Sequence, residues 1–308
     1  MKKSILYLSV LTLSLAFLLP SCKKDSASTD PNAQVTTQAD DQSRVSTETD
    51  AVTNDANASL EVSPSISGRD MGFQGLICDA TIVADTISNP KTITITYNGA
   101  NCSGNRVRTG VVVISMAGGV HWKDAGAVVT ISYQNLKITR TSDNKSITIN
   151  GTHTLTNVSG GLLVNLATVK TITHTITSSN MSVTFDDGSQ RTWSVARQRV
   201  FTYNNGVVIT ITGTHTDGAN TGIEEWGTTR FGKTFTNSII SPLVVSQGCS
   251  FRITSGATQH VTSLATIAVT FGLDVSGNAT SCPGTGSYYY KAVWTGANGK
   301  VITVIAPY

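Results

Sequence analysis

The chain has 308 residues, a formal net charge of +3, 39% hydrophobic and 13% charged residues, and five cysteines. That length and apolar content suffice for a substantial core. The modest basic excess gives no nucleic-acid footprint, and the absence of a CxxC pair argues against a zinc ribbon or thioredoxin-type redox site.

Residues 1–22 read as a lipoprotein signal peptide. Lys2 and Lys3 form a positive start, and Ile5 to Leu19 is an uncharged apolar run, too short and wrongly flanked for a spanning helix. The run ends in "LPSC", a small residue before a cysteine, as lipoprotein signal peptidase requires. Cys22 would take a diacylglyceryl group and become the new N-terminus. Two or more acyl chains hold a protein on a bilayer durably. The bilayer, reached through this acyl anchor, is therefore an expected partner.

Residues 23–70 change character. They contain nine acids, four bases and no aromatic residue. Such a segment buries too little apolar surface to offset its chain entropy, so a disordered, acidic, Ser/Thr/Asp-rich tether is expected. Stretched out, it would reach on the order of 150 Å.

Residues 71–308 carry 16 bases and 10 acids. An acidic tether thus precedes a basic domain, which weakly favours anionic surroundings. Apolar and polar residues alternate throughout, as in "KTITITYNG", "VKTITHTIT" and "VVITITGT". Threonine, valine and isoleucine dominate, and these fit a pleated surface. Turn signals recur, among them Asp187-Gly188 and Asn205-Gly206. The expected fold is all-β: an antiparallel meander of about 12–15 strands forming a sandwich or a strongly curved open barrel. No segment after the signal shows a sustained 3.6-residue apolar repeat. The four later cysteines allow three pairings. The sequence-local one, Cys78 with Cys102 and Cys249 with Cys282, suits staples on an exported β-domain.

"CKKDS" after the lipobox resembles lipoproteins of the Bacteroidota. "NPKTITITYNGANC", "RVRTGVVVISMAGG", "DDGSQRTWSVARQRV", "VITITGTHTDGAN", "SPLVVSQGCSFRITSG" and "CPGTGSYYYKAVWTGANG" together are similar to a family of uncharacterised lipoproteins of that phylum, over most of residues 78 to 300. The resemblance implies a cell-envelope location, an all-β domain and no assigned activity. "YNGANC" lacks the acidic strand end usual before the family's second cysteine, so no cation site is carried over.

Three histidines stand in a Thr-His-Thr frame: His153, His174 and His215. Period two puts each on the apolar face of its strand. They could converge on a metal with Asp217, or serve as half-buried rings that need no ligand. The second reading is preferred, and no cofactor is expected. "RTWSVARQRVFTY" aligns Arg191, Trp193, Arg197 and Arg199 on one face. That stripe could be an exposed patch for an anionic or glycan ligand, or a cross-strand ladder that binds nothing. Glu224 and Glu225 are adjacent, so an unbroken strand would point them to opposite faces, and they cannot form a glycosidase pair by themselves. No catalytic residue is assigned. The chain is therefore expected to be a lipoprotein anchored to the outer membrane, surface-exposed or periplasm-facing, with a non-catalytic binding or structural role. The alternatives are a lipid or small-ligand carrier with an apolar cavity, and a loop-based hydrolase. The oligomeric state lies beyond the sequence.

Overall fold

A computed structural model describes residues 31–63, 75–280, 288–296 and 299–308. Threonine- and valine-rich alternation produces fifteen strands among these residues, all in one antiparallel sheet. They are β1 (Ala80–Asp85), β2 (Lys91–Ala100), β3 (Arg106–Met116), β4 (Ala127–Arg140), β5 (Ser146–Asn157), β6 (Thr171–Phe185), β7 (Gln190–Tyr203), β8 (Val207–Gly213), β9 (His215–Asp217), β10 (Asn220–Thr228), β11 (Thr234–Ser246), β12 (Arg252–Thr262), β13 (Ala265–Leu273), β14 (Tyr289–Gly296) and β15 (Val301–Pro307). The order is a meander from β1 to β7, then β10 to β15, with β8 and β9 off the main path. The all-β expectation holds, and the form is a single curved open sheet rather than two stacked sheets.

Bulges bend the long strands. In β4 the register shifts between Tyr133 and Leu136, with Asn135 at φ 50°. Opposite it, Gly110 adopts φ 115°, and a Cβ there would lie 2.4 Å from the Asn135 carbonyl oxygen. Only glycine permits that approach. A second bulge in β6, with Asn180 at φ 53°, repeats the device one hairpin later. Each extra residue increases local twist and curls the sheet. The Cys78–Cys102 disulfide forms as expected and ties the entry to β1 to the loop after β2. Cys249 is buried and disulfide-bonded, while Cys282, its expected partner, lies outside the described residues, as does Cys22.

The tether expected over residues 23–70 is corrected where the chain is described. Pro31–Val62 is one α-helix of 32 residues, α1, about 48 Å long, and it packs against the inner face of the sheet. Val45, Val52, Ala56 and Leu60 are fully buried and join the main core with Ile93, Ile131, Ile149 and Val183 of the strands. These four recur at seven-, four- and four-residue steps, one stripe of a helix. The other inward positions are polar: Gln38, Asp41, Gln42, Arg44, Glu48, Thr49, Thr53 and Ser59. The sheet supplies their partners. Arg108 pairs with Asp55 at 2.7 Å, Arg230 donates to Asp41 at 2.7 Å, Arg106 pairs with Glu48, and Arg140 pairs with Asp40 at 2.8 Å. Arg44 returns a bond from the helix to the Ile138 carbonyl at 3.1 Å. Glu61 accepts the Leu163 and Val164 backbone N–H groups at 2.6 and 3.0 Å. A hydropathy reading misses this helix because its buried face is held by charge and hydrogen bonds more than by apolar area.

Docking of α1 makes Leu60 a core residue. Leu60→Ala is expected to lower unfolding stability by about 2–5 kcal/mol. Thr47→Ala, at an exposed helix position, is expected to change it by less than about 0.5 kcal/mol. Urea unfolding checks both; equal, negligible effects would mean the helix is not docked.

Candidate functional site

Strand β7 carries the Arg–aromatic stripe, and its period-two alignment holds. Arg191, Trp193, Arg197 and Arg199 share one face, but that face points inward, with relative exposures of 2%, 1%, 3% and 7%. The exposed glycan-facing patch is therefore corrected. Alternation says which side chains share a face and not which face meets solvent, and here α1 covers it. Arg191 stacks over the Phe235 ring at 4.4 Å and donates to Gln42 Oε1 at 3.0 Å. Burial lowers its pKa to about 10. Arg197 donates to Asp50 at 2.9 Å, and Arg199 contacts the same carboxylate at 2.6 Å.

Beside β7 the sheet contains a seam. The slot between β7 and β11 is filled end to end by two strands: β8 pairs with the later half of β7 and β10 with its earlier half. Between them the chain leaves the sheet as the β9–β10 hairpin. The departure and return points nearly touch: a Cβ on Gly213 would lie 2.0 Å from the Gly222 carbonyl oxygen. On return, Gly222 adopts φ 69°, and the register against β11 shifts between Ile223 and Glu225.

That bulge overturns the expectation of opposite faces for Glu224 and Glu225. Both are buried, and both contact Arg197: Glu224 at 3.3 Å, Glu225 in a close ion pair. Glu225 also accepts from Ser46 at 2.7 Å and from Gln42. Glu224 accepts from Asn237 at 3.0 Å. Burial pushes the Glu224 pKa up to about 7 against the pull of Arg197. Burial acts the same way on Asp50, but Arg199 and Arg197 outweigh it and hold its pKa below the usual value.

The seam borders a cavity of about 650 Å³ between α1 and the later strands. One wall is apolar: Phe201, Ile209, Ile211, Leu243, Ile267 and Phe271. The other is polar and comes largely from α1 and the seam, with Gln42, Ser46, Asp50, Asn54, Arg197, Arg199 and Glu224. The cavity exists because the core contacts of α1 run almost wholly to β1–β7, leaving the inner face of β8 and β11–β13 uncovered. Phe251 also lines it, is 54% exposed, and follows Ser250 in a left-handed pair at φ 58° and 57°. A bulky residue at positive φ is strained and marks a locally imposed geometry.

The histidines do not converge. His153 pairs across the sheet with Ser178, and His174 with Asn157, so they lie four positions apart along neighbouring strands, about 13 Å. His153 shares a hydrogen bond with the Tyr133 hydroxyl at 3.1 Å, and its ring lies 5.3 Å from that of Trp193. His174 packs between Trp122 and Phe201. His215 is on the hairpin, stacked on Trp226 at 4.0 Å. Among the described residues no group of three His, Cys, Asp or Glu is arranged to hold a metal. Sequence reasoning missed Asp50, assigned to the tether, and His260, which lines the cavity. The opposite charges of residues 23–70 and 71–308 signal attraction between the two segments and carry no sign of a helix.

No family model, curated protein or solved structure shows a significant match to this chain.

Burial lowers the pKa of His153 to about 3 and those of His174 and His260 to about 4. The unfolded chain binds these protons from about pH 6.5. Their contribution is therefore present above that pH and lost as pH falls from 6.5 toward 4. Urea stability should decline over this window, and His174→Gln should flatten the decline. An unchanged slope would contradict a buried neutral His174.

Proposed function

We propose that the chain is a lipoprotein of the cell envelope that carries a small apolar or amphipathic ligand between α1 and the later half of the sheet. The observation that carries this reading is the half-filled concave face. Helix α1 covers the early strands, and a cavity of about 650 Å³ with an aliphatic and aromatic wall stays open beside them. That volume lies within the range of small-molecule sites, which pair apolar walls with a few placed polar groups.

The lipobox supports a membrane-proximal position. With Cys22 acylated and α1 starting at Pro31, eight residues separate the anchor from the helix. They span at most about 28 Å, so the cavity would stand close to the bilayer. Anchorage in the outer membrane remains part of this proposal, as does the likeness to envelope lipoproteins of the Bacteroidota. No described helix is long and apolar enough to cross a membrane.

Titration of the full chain with the neutral fluorophore N-phenyl-1-naphthylamine tests the reading. Saturable binding is expected, weakened at least tenfold by Val269→Trp, which fills the apolar wall. Absence of saturable binding, or binding indifferent to Val269→Trp, would refute it.

A further inference from the structure

Exposed apolar side chains are unevenly placed on this molecule. Apart from the β9–β10 hairpin, antiparallel pairing sends successive connections between strands to opposite rims of the sheet. Among the described residues, these connections expose six large apolar side chains: Ile87, Val158, Val164, Val169, Phe251 and Val275. All six lie on one rim, where β1, β5, β11 and β13 end. The described connections on the opposite rim expose none, and carry Asp143, Lys145, Asp187, Lys233 and Lys300 at their surface instead. Apolar residues scattered over a surface need no explanation, but a one-sided set does.

The central connections of that rim form a continuous patch. Tyr203, the last residue of β7, donates its backbone N–H to the Lys170 carbonyl at 3.0 Å and pairs with Val207 across the turn. Val207 in turn donates to Gln247 Oε1 at 2.8 Å. Val164 and Val169 therefore share a surface with Phe251, about 15 Å away across three strand spacings. Residues 158–170, 204–206 and 247–252 hold two charged side chains, Lys170 and Arg252, both exposed. The patch is also one end of the cavity. Leu166 packs with Ile172 and Phe201, and Leu163 and Ile209 pack against them. Phe201, Ile209 and Phe251 line the cavity. Apolar contact is thus unbroken from cavity to rim.

Helix α1 decides which way this rim faces. Glu61, near its end, holds the backbone N–H groups of Leu163 and Val164. Asp40 and Asp41, nearer its start, pair with Arg140 and Arg230 at the opposite rim. The patch and the start of α1 are therefore at opposite ends of a helix about 48 Å long. The eight residues joining Cys22 to Pro31 reach at most about 28 Å. Set end-on against the bilayer that holds Cys22, the patch would carry Pro31 beyond that reach.

Resting on the carrier and lipobox readings above, we propose that this rim docks on a phospholipid bilayer other than the one holding the anchor, and that the ligand passes there between bilayer and cavity. Val164, Val169 and Phe251 enter the acyl boundary, and Lys170 and Arg252 meet headgroup phosphates. Cations flanking apolar tips complement an anionic lipid surface. Single apolar tips on separate turns, with Asn165, Asn204 and Asn205 exposed among them, suit a fluid surface better than a closely packed protein interface.

Hydrogen–deuterium exchange of the full chain, with and without vesicles of equal parts phosphatidylcholine and phosphatidylglycerol, tests the contact. Vesicles should slow exchange at least threefold in residues 158–170 and 247–252 and leave residues 141–145 and 229–233 unchanged. This local readout separates the patch from any partitioning of the apolar run before Cys22. Val164→Ser/Val169→Ser should remove the protection and leave binding of N-phenyl-1-naphthylamine intact, since neither side chain lines the cavity. Val269→Trp should do the reverse. An unprotected patch, or protection of the opposite rim, would overturn the lipid contact; with fluorophore binding intact, the carrier reading would stand and the patch would fall to a protein partner. A protected patch without fluorophore binding would overturn the passage of ligand together with the carrier reading. For the orientation, the acylated chain is incorporated into one vesicle population. Its patch should become protected, and the vesicles should cluster, only when a second, protein-free population is added. Protection before that addition, or a chain recovered without the acyl group, would overturn the assignment to a second bilayer.

Discussion

Arginines on the inner face of a β-sheet need opposite charge packed against them. A guanidinium taken out of water and left alone costs several kcal/mol. This sheet presents Arg108, Arg191, Arg197 and Arg199 inward. Asp79, Glu224 and Glu225 of the β-domain supply part of the compensation, and the acidic stretch before it supplies the rest by folding into α1 and docking Asp50 and Asp55 onto three of them. The dependence runs both ways. Rich in Ser, Thr, Asn and Asp, α1 has poor intrinsic helix propensity. It is helical because the sheet pairs its side chains, and the helix completes the pairing of arginines that Asp79, Glu224 and Glu225 begin.

This mutual requirement also explains the cavity. The apolar side chains that α1 places in the core are Val45, Val52, Ala56 and Leu60, too small and too few to cover the whole concave face. They seal it over β2–β7. Over β8 and β11–β13 the helix presents Ala39, Ser43, Thr47 and Asn54, which leave space against Ile209, Ile253 and Val269. Carrier chemistry, on this account, is the part of the sheet that its own helix does not fill.

The strands were legible because their alternation is strict. In β5, Ile147, Ile149, His153 and Leu155 all face inward as period two requires. In β7 the same holds from Arg191 to Phe201. Three features were not legible. The helix was hidden because polar residues occupy most of its buried face. The inward direction of the arginine stripe was hidden because alternation is symmetric between faces. The convergence of Glu224 and Glu225 was hidden because a bulge after Gly222 breaks the alternation. Gly222 and Gly227 flanking the two glutamates were the only local hint.

Hydrogen–deuterium exchange on the full chain tests the central claim most directly. If α1 is packed into the sheet, backbone amides of residues 38–60 will exchange at rates comparable to those of β4–β7 and slow together with them. Exchange of residues 38–60 at the rate of an unstructured peptide, with β4–β7 still protected, would contradict the account, because the sheet would then stand without a docked helix.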